Sequence, residues 1–293
     1  MSHKHVLSLA ILLVLLTCSS GLYAQNDLQK IKVPPLPNEL YFCEERVPLE
    51  KPEVRDALLR ELVINTYRHS GTLMVMLRSR QIRKEMEQAL KEAGVPLDFF
   101  YLAAIESDLD PHAASYAGAV GYWQFREETA KEYGLLITDH IDQRKDLSVA
   151  TTAAAKYFSR AYQRFHNWTL AAAAYNRGSY GLQQALDQQG VSSFFDLYLN
   201  TETHRYIYRI LAMKVIMENP EKYFFESKLP KGSYSPKKTK TITIRKDINH
   251  LPDFARRYNT TYGALKYLNP WMMNTDYKLI VPEGTELRVL LPR

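Results

Sequence analysis

Glu106 is the residue in this 293-residue sequence best placed to move a proton. It follows a run, Pro96 to Ile105, in which only Asp98 is charged. A helix that apolar is buried all round rather than amphipathic. Pro96 suits a first helical turn, where its missing N–H costs nothing. Pro111 disfavours helical geometry at Asp110, so the helix is expected to stop near Ser107. Leu102 and Ala103, four and three residues earlier, share the face of Glu106. A carboxyl so placed is partly desolvated and near the negative end of the helix dipole, and both effects raise its pKa. An acid kept protonated near neutral pH is what general acid catalysis requires. The alternative is an ordinary glutamate fraying into solvent. Asp108 and Asp110 follow in a loop, with solvation or capping as their expected roles. A two-carboxylate glycosidase needs its partner across the scissile bond, at a distance that sequence does not show.

Other segments carry groups suited to a cleft. The loop Ser115–Phe125 sets Gly118 and Gly121 beside Tyr122, Trp123 and Gln124. Glycine permits close backbone approach, aromatic faces pack on sugar rings, and the Gln amide both donates and accepts. Trp123 and Phe125 suit the core equally well. Tyr175-Asn176-Arg177-Gly178 ends an alanine-rich run, either as a helix C-cap with Gly178 left-handed or as a cleft edge, or as both. Tyr206, one of 20 tyrosines, carries no signal of its own.

These residues need elements to hold them. Apolar residues at 54, 58, 62 and 63 predict an amphipathic helix over Val54–Tyr67. A second helix runs over Thr72–Ala93, with Gly94 as its stop. Asp110–Gly121 is loop and Glu127–Tyr133 a short helix. Leu147–Phe165, Trp168–Tyr175 and Thr203–Asn219 are further helices, and no convincing strand falls between 53 and 220. Gln25–Pro52 is proline-rich and reads as extended chain. Leu229–Lys240 reads as a basic linker. Beyond it, Thr241–Arg245, Tyr277–Val281 and Glu286–Leu291 read as strands, and Leu251–Tyr258 and Tyr262–Leu268 as short helices. The expected fold is mainly α, an all-α domain followed by a small α+β module.

The first 24 residues read as a secretory signal peptide, with Lys4, an apolar run and small residues before a cut after Ala24. Cys18, in LLTC, offers a second reading as the lipidated residue of a bacterial lipoprotein signal. After a cut at Ala24 only Cys43 remains, which excludes an internal disulfide. Neither cysteine has metal-ligand spacing. The formal charge is +6, of which Lys4 supplies the leader's share, leaving +5. An exported basic protein is drawn to wall polymers and anionic lipid. Nucleic acid fits the charge but not the compartment.

The ordered set Glu106-Ser107, GYWQF at 121–125, AYNRG at 174–178 and ETHRY at 202–206 resembles the family 1 lytic transglycosylases of the bacterial cell wall. The segment DQRKDLSVATTAAAKYF, 142–158, resembles the helix start of that family. Two departures stand out. Tyr122 occupies a position where Leu or Met is usual, which predicts a reshaped cleft, and Arg126-Glu127-Glu128 replaces an apolar-Pro turn. The resemblance implies a lysozyme-like α fold that cleaves the β-1,4 bond from N-acetylmuramic acid to N-acetylglucosamine in peptidoglycan and closes a 1,6-anhydro ring. Glu106 is implied as the single acid and base. Ser107, Tyr122, Gln124 and Tyr175 are implied as substrate-binding, Asn176 as steadying charge at C1, and Tyr206 as hydrogen-bonded to Glu106. No metal or cofactor is implied. The C-terminal stretch LPDFARRYNTTYGALKYLNP, 251–270, resembles a LysM glycan-binding module that lacks the usual Gly-Asp-Thr start. The organisation expected is a signal peptide at 1–24, an N-terminal extension at 25–75 packed on the catalytic domain, that domain at 76–226, a linker at 227–240 and the LysM-like module at 241–293. Partners are then glycan strands. The expected location is the periplasm, with Cys18 as a route to outer-membrane attachment, and the expected state is monomeric. A goose-type lysozyme and a non-catalytic wall-binding scaffold are the rival readings.

Overall fold

The computed structural model describes residues 31–225, 232–273 and 276–293. The predicted signal peptide, Cys18, Ala24 and the start of the basic linker lie outside them. Two minimal strands, β1 (Tyr41–Phe42) and β2 (Glu45–Arg46), pair antiparallel ahead of the helices. The helices follow as α1 (Pro52–Tyr67), α2 (His69–Glu92), α3 (Phe99–Ser107), α4 (Glu127–Glu132), α5 (Leu147–Phe165), α6 (Trp168–Arg177), α7 (Ser179–Gln189) and α8 (Thr201–Glu218). Among the described residues, none is long and apolar enough to cross a membrane.

The apolar reading of α3 holds, since every residue from Phe99 to Ile105 is buried. Its neighbours are α2 and α8. The helix begins three residues later than Pro96 suggested. Pro96, Leu97 and Asp98 instead accept in successive tight turns from the amides of Phe99, Phe100 and Tyr101. Asp98 does not cap the helix with its side chain, because its carboxylate is taken by the Cys43 amide at 2.7 Å and the Lys214 ammonium at 2.7 Å. The helix does end at Ser107, where Asp108 and Leu109 turn left-handed, with φ of 51° and 58°.

The helices around α3 are fastened by side chains that close their open ends or bridge their faces. Glu45 accepts from the amides of Trp168 and Thr169 at 2.5 and 2.9 Å, placing a carboxylate at the positive N-terminus of α6. Four successive alanines, Ala171–Ala174, are fully buried and let α5 and α8 approach α6. On α1, buried Glu61 grips Arg205 of α8 in a two-point ion pair at 2.7 and 3.1 Å.

The C-terminal part runs β3 (Thr239–Ile244), α9 (Leu251–Arg257), α10 (Tyr262–Leu268) and β4 (Leu287–Pro292), with β3 and β4 antiparallel. The strand expected at Tyr277–Val281 does not form. Positive φ at Asp276 and Tyr277 breaks the extended run, leaving one bridge from Leu279 to Ile248. The Val281 amide turns to the Asp247 carboxylate instead of a ladder partner. A second core gathers Leu251, Leu265, Leu279, Val289 and Leu291. Residues 34–293 nonetheless form one compact unit.

Candidate active site

The site has a helical wall and a loop wall. The helical wall begins with Glu106 at the last turn of α3, half-buried. Tyr206 of α8 donates its hydroxyl to Glu106 Oε1 at 2.5 Å. Burial raises the pKa of the Glu106 carboxyl above the usual 4.5; the Tyr206 hydrogen bond and the Arg209 charge oppose that rise, and Glu202 adds to it. Glu202, Tyr206 and Arg209 lie at spacings of four and three on α8, so one face of that helix presents all three to Glu106. Arg209 also donates to the Ile105 carbonyl at 3.1 Å, satisfying an open acceptor at the α3 terminus. Neither Arg209 nor Glu202 was singled out from sequence, although their spacing from Tyr206 was the available signal.

Asn176, near the end of α6, accepts from the Thr203 hydroxyl at 3.0 Å, which ties it to α8. Thr203 is itself placed by the α8 cap, where Asn200 accepts from its amide at 2.9 Å. Gly178 links α6 to α7 at φ 83° and ψ 138°. The predicted left-handed cap is therefore corrected to a positive-φ extended link, a region that glycine enters without a Cβ clash.

The loop wall is the turn-rich segment 113–125. Ser107 is buried, and its hydroxyl donates to the Tyr122 carbonyl at 2.8 Å. Tyr122 is buried as well, and burial pushes its phenol up. The Tyr175 hydroxyl donates to the Trp123 carbonyl at 2.6 Å, and burial, then the nearby Glu106 charge, push its pKa well up. Gln124 takes a left-handed φ of 50°, and its amide donates to the carbonyls of Ala113 and Gly121 at 3.1 and 3.0 Å. Trp123 and Phe125 are core residues, Trp123 donating to Thr151 at 3.0 Å. Arg126 is extended and leads directly into α4, which gives the loop its path after Phe125. Asp108 and Asp110 are committed elsewhere, to Arg68 and Arg78.

Of the seven residues predicted from sequence, Glu106, Tyr206 and Tyr175 are therefore electrostatically joined. Ser107 and Tyr122 connect the two walls through one hydrogen bond. Asn176 is tied to α8, and Gln124 to its own loop. The arrangement offers a partly desolvated acid beside one phenol donor and one guanidinium, with a carboxamide on each wall. That set can give a proton to an oxygen and take one back.

Membrane-bound lytic murein transglycosylase D of Escherichia coli (strain K12) is 32% identical over 179 residues, 59% of this chain and 39% of its own. A putative tributyltin chloride resistance protein of Alteromonas sp. (strain M-1) is 31% identical over 90 residues, 30% of this chain and 44% of its own. The chain thus spans about two fifths of the length of these curated relatives. Among solved structures, an inactive mutant of the lytic transglycosylase Slt from Pseudomonas aeruginosa overlaps 48% of this chain and 24% of its own, at 22% identity and a TM-score of 0.38. The 70 kDa soluble lytic transglycosylase of Escherichia coli overlaps 58% and 32%, at 17% identity and a TM-score of 0.41. Two family models match this chain: the transglycosylase SLT domain over residues 85–196, and the soluble lytic transglycosylase C-terminal LysM-like domain over residues 240–293.

Proposed function

We propose that this protein is a peptidoglycan lytic transglycosylase that cuts the β-1,4 bond between N-acetylmuramic acid and N-acetylglucosamine, with Glu106 as its single acid and base. The observation that carries the reading is the short hydrogen bond from Tyr206 to a desolvated Glu106, between two walls that hold the other motif residues. The protonated carboxyl gives its proton to the glycosidic oxygen as the C1–O bond breaks. The resulting carboxylate takes a proton from the C6 hydroxyl of the same muramic sugar, whose oxygen closes on C1. No water is consumed, and Glu106 ends protonated as it began. Tyr206 and Arg209 favour the carboxylate, so they serve the second half of the cycle, while burial serves the first.

Asn176 and Gln124 present carboxamides to the sugar from opposite walls. Tyr122 and Tyr175 shape the floor, and Ser107 sets the loop against α3. The SLT match and the murein transglycosylase relative support this substrate class. The LysM-like module supports a hold on glycan strands, and the leader-like first residues support export to the periplasm, by a cut after Ala24 or with Cys18 as the attachment point at the outer membrane. We propose the division into extension, catalytic domain, linker and module at the boundaries expected from sequence.

The test is digestion of purified peptidoglycan followed by mass spectrometry of the fragments. Fragments ending in 1,6-anhydro-muramic acid are expected, and Glu106→Gln should release them about a thousandfold more slowly. Reducing muramic ends without anhydro ends would assign a hydrolase of the goose-lysozyme type. An unchanged rate in Glu106→Gln would remove Glu106 from the chemistry.

A further inference from the structure

The C-terminal module and the loop wall of the site grip the same short turn from opposite sides. The turn is 136–146, between α4 and α5. On the module side, Ile141 is fully buried in the second core, and Leu136 packs against it. Ile141 bridges Met272, the Asp142 amide donates to the Trp271 carbonyl at 2.9 Å, and the Met273 amide donates to the His140 carbonyl at 2.9 Å. Across the same junction Arg288 of β4 reaches the Ser148 hydroxyl at 3.3 Å.

On the other side, Arg144 is buried in a two-point pair with Asp142, both contacts at 2.9 Å. The remaining guanidinium nitrogen donates to the carbonyls of Gly118 and Phe125, each at 3.3 Å. The backbone of Gly121 is pressed so close that a Cβ there would lie 2.0 Å from the Arg144 carbonyl oxygen. Three positions of this loop, Gly118, Gly121 and Gln124, stand at positive φ. The loop holds itself only by isolated bridges, Ala114 to Val120 and Val120 to Phe125, and by hydroxyls from Ser107 and Tyr175, so further contacts from outside bear on its single conformation.

We propose that the C-terminal module acts as a buttress of the active-site loop, with Arg144 as the positioning residue that transmits it. The module holds 140–142 in register, that register fixes Asp142, Asp142 fixes the Arg144 guanidinium, and Arg144 fixes the loop that carries Tyr122 and Gln124. Arg144 acts through the loop and touches no substrate. The proposal rests on the transglycosylase reading only for what the loop is for; the mechanical link stands on the contacts themselves. Misplacement of a binding group by about 1 Å lowers turnover on the order of a hundredfold, so a loosened loop is expected to show in kcat.

Two full-length variants test it. Ile141→Asp unseats the module from the turn. Asp142→Asn with Arg144→Gln leaves Ile141 in place, removes the charge pair without stranding one partner, and cuts the guanidinium contacts to the loop. Hydrogen exchange at the amides of Val120, Gly121 and Gln124 is read first, because it needs no substrate. Both variants should exchange there at least tenfold faster, with α3 and α8 unchanged. Turnover of a short soluble glycan should fall about tenfold, with KM within twofold of the parent. Unchanged exchange at those amides overturns the buttress. So does a loss confined to binding of whole sacculi, which would make the module only an anchor. If the parent cleaves no glycan, the transglycosylase reading fails while the exchange result still decides the link. If Ile141→Asp does not fold, the double variant decides alone.

Discussion

The helical wall and the loop wall of this site are held by different means. On the helical wall, α3 and α8 bring Glu106 and Tyr206 together by direct side-chain contact. Each side chain is aimed by a helix whose own core is packed, so the geometry follows from helical spacing. On the loop wall, Gln124 is aimed by a left-handed backbone and by the carbonyls of Ala113 and Gly121. Isolated bridges and single side-chain contacts fix that loop, and Arg144 adds to its rigidity. On the proposed function, such a site keeps its proton-transfer group on rigid elements and leaves its substrate contacts on a segment whose position depends in part on a distant support.

Removing the acid breaks the helical wall at its chemical centre. Glu106→Gln keeps the shape and an acceptor for Tyr206 but has no proton to give. General acid–base catalysis contributes roughly 10²–10⁴ in rate, so kcat on sacculi is expected to fall about a thousandfold, followed by release of soluble fragments. A loss under tenfold would mean that the helical wall only binds.

The loop wall is probed by a pair of glycines. Gly121 and Gly118 both sit at positive φ, 82° and 78°, but only Gly121 is pressed against another backbone. Gly118→Ala meets no atom within 4 Å and is expected to cost about 1 kcal/mol of stability, from the left-handed strain alone. Gly121→Ala adds a clash with the Arg144 carbonyl and is expected to cost about 3 kcal/mol. Urea unfolding midpoints give both values. Equal costs would show that the contact with Arg144 yields easily, and the contrast between rigid and supported walls would lose its sharpest evidence.

Much of the helical wall was legible in sequence for a physical reason. The charge-poor stretch before Glu106 allows only a buried helix, and Pro111 allows only one end for it. The helix predicted over Leu147–Phe165 stands as α5 with those bounds, because Asp146 caps it and the left-handed His166 closes it. Arg209 escaped because its role depends on which α8 face meets α3, a tertiary fact. Arg144 and its partner Asp142 stood in the 142–158 segment that resembles the family, but the reach of Arg144 to the loop escaped, because Gly118 and Phe125 accept through backbone carbonyls and a carbonyl leaves no mark on residue type. The false strand at Tyr277–Val281 had suitable side chains but took positive φ at its start, which composition does not reveal. The resemblance implied Ser107 and Tyr122 as substrate-binding; that the Ser107 hydroxyl and the Tyr122 carbonyl also bond to each other was not legible in sequence.

Tyr206→Phe sharpens the comparison by loosening the helical wall without moving it. The phenol donates to Glu106 and favours its charged form, so its loss should carry the Glu106 pKa further up. The limb of the pH–rate profile set by Glu106 should shift to higher pH. A hydrogen bond to a charged group contributes roughly 1.5–3 kcal/mol, and kcat is expected to fall about tenfold if part of that is used as the carboxylate forms. The loop-wall variant Gly121→Ala should slow the enzyme without moving the limb. A shifted limb in both would mean that the walls are one electrostatic unit.

The smallest effect concerns stability. Burial raises the Glu106 pKa in the folded chain, so between the usual 4.5 and the raised value the folded state binds more protons than the unfolded state. The stability this carboxyl contributes is therefore complete below about 4.5, falls as pH rises through that window, and levels off above it. Glu106→Gln has no such titration. Its thermal midpoint, taken as the difference from the parent, should increase between pH 4 and pH 7. No loop-wall residue is expected to show this trend, because Gln124 carries no charge. A difference that stays flat with pH would mean that α3 and its neighbours hold the carboxylate without desolvating it. The helical wall would then be rigid but not tuned, and the acid step would have to draw its proton affinity from the bound glycan.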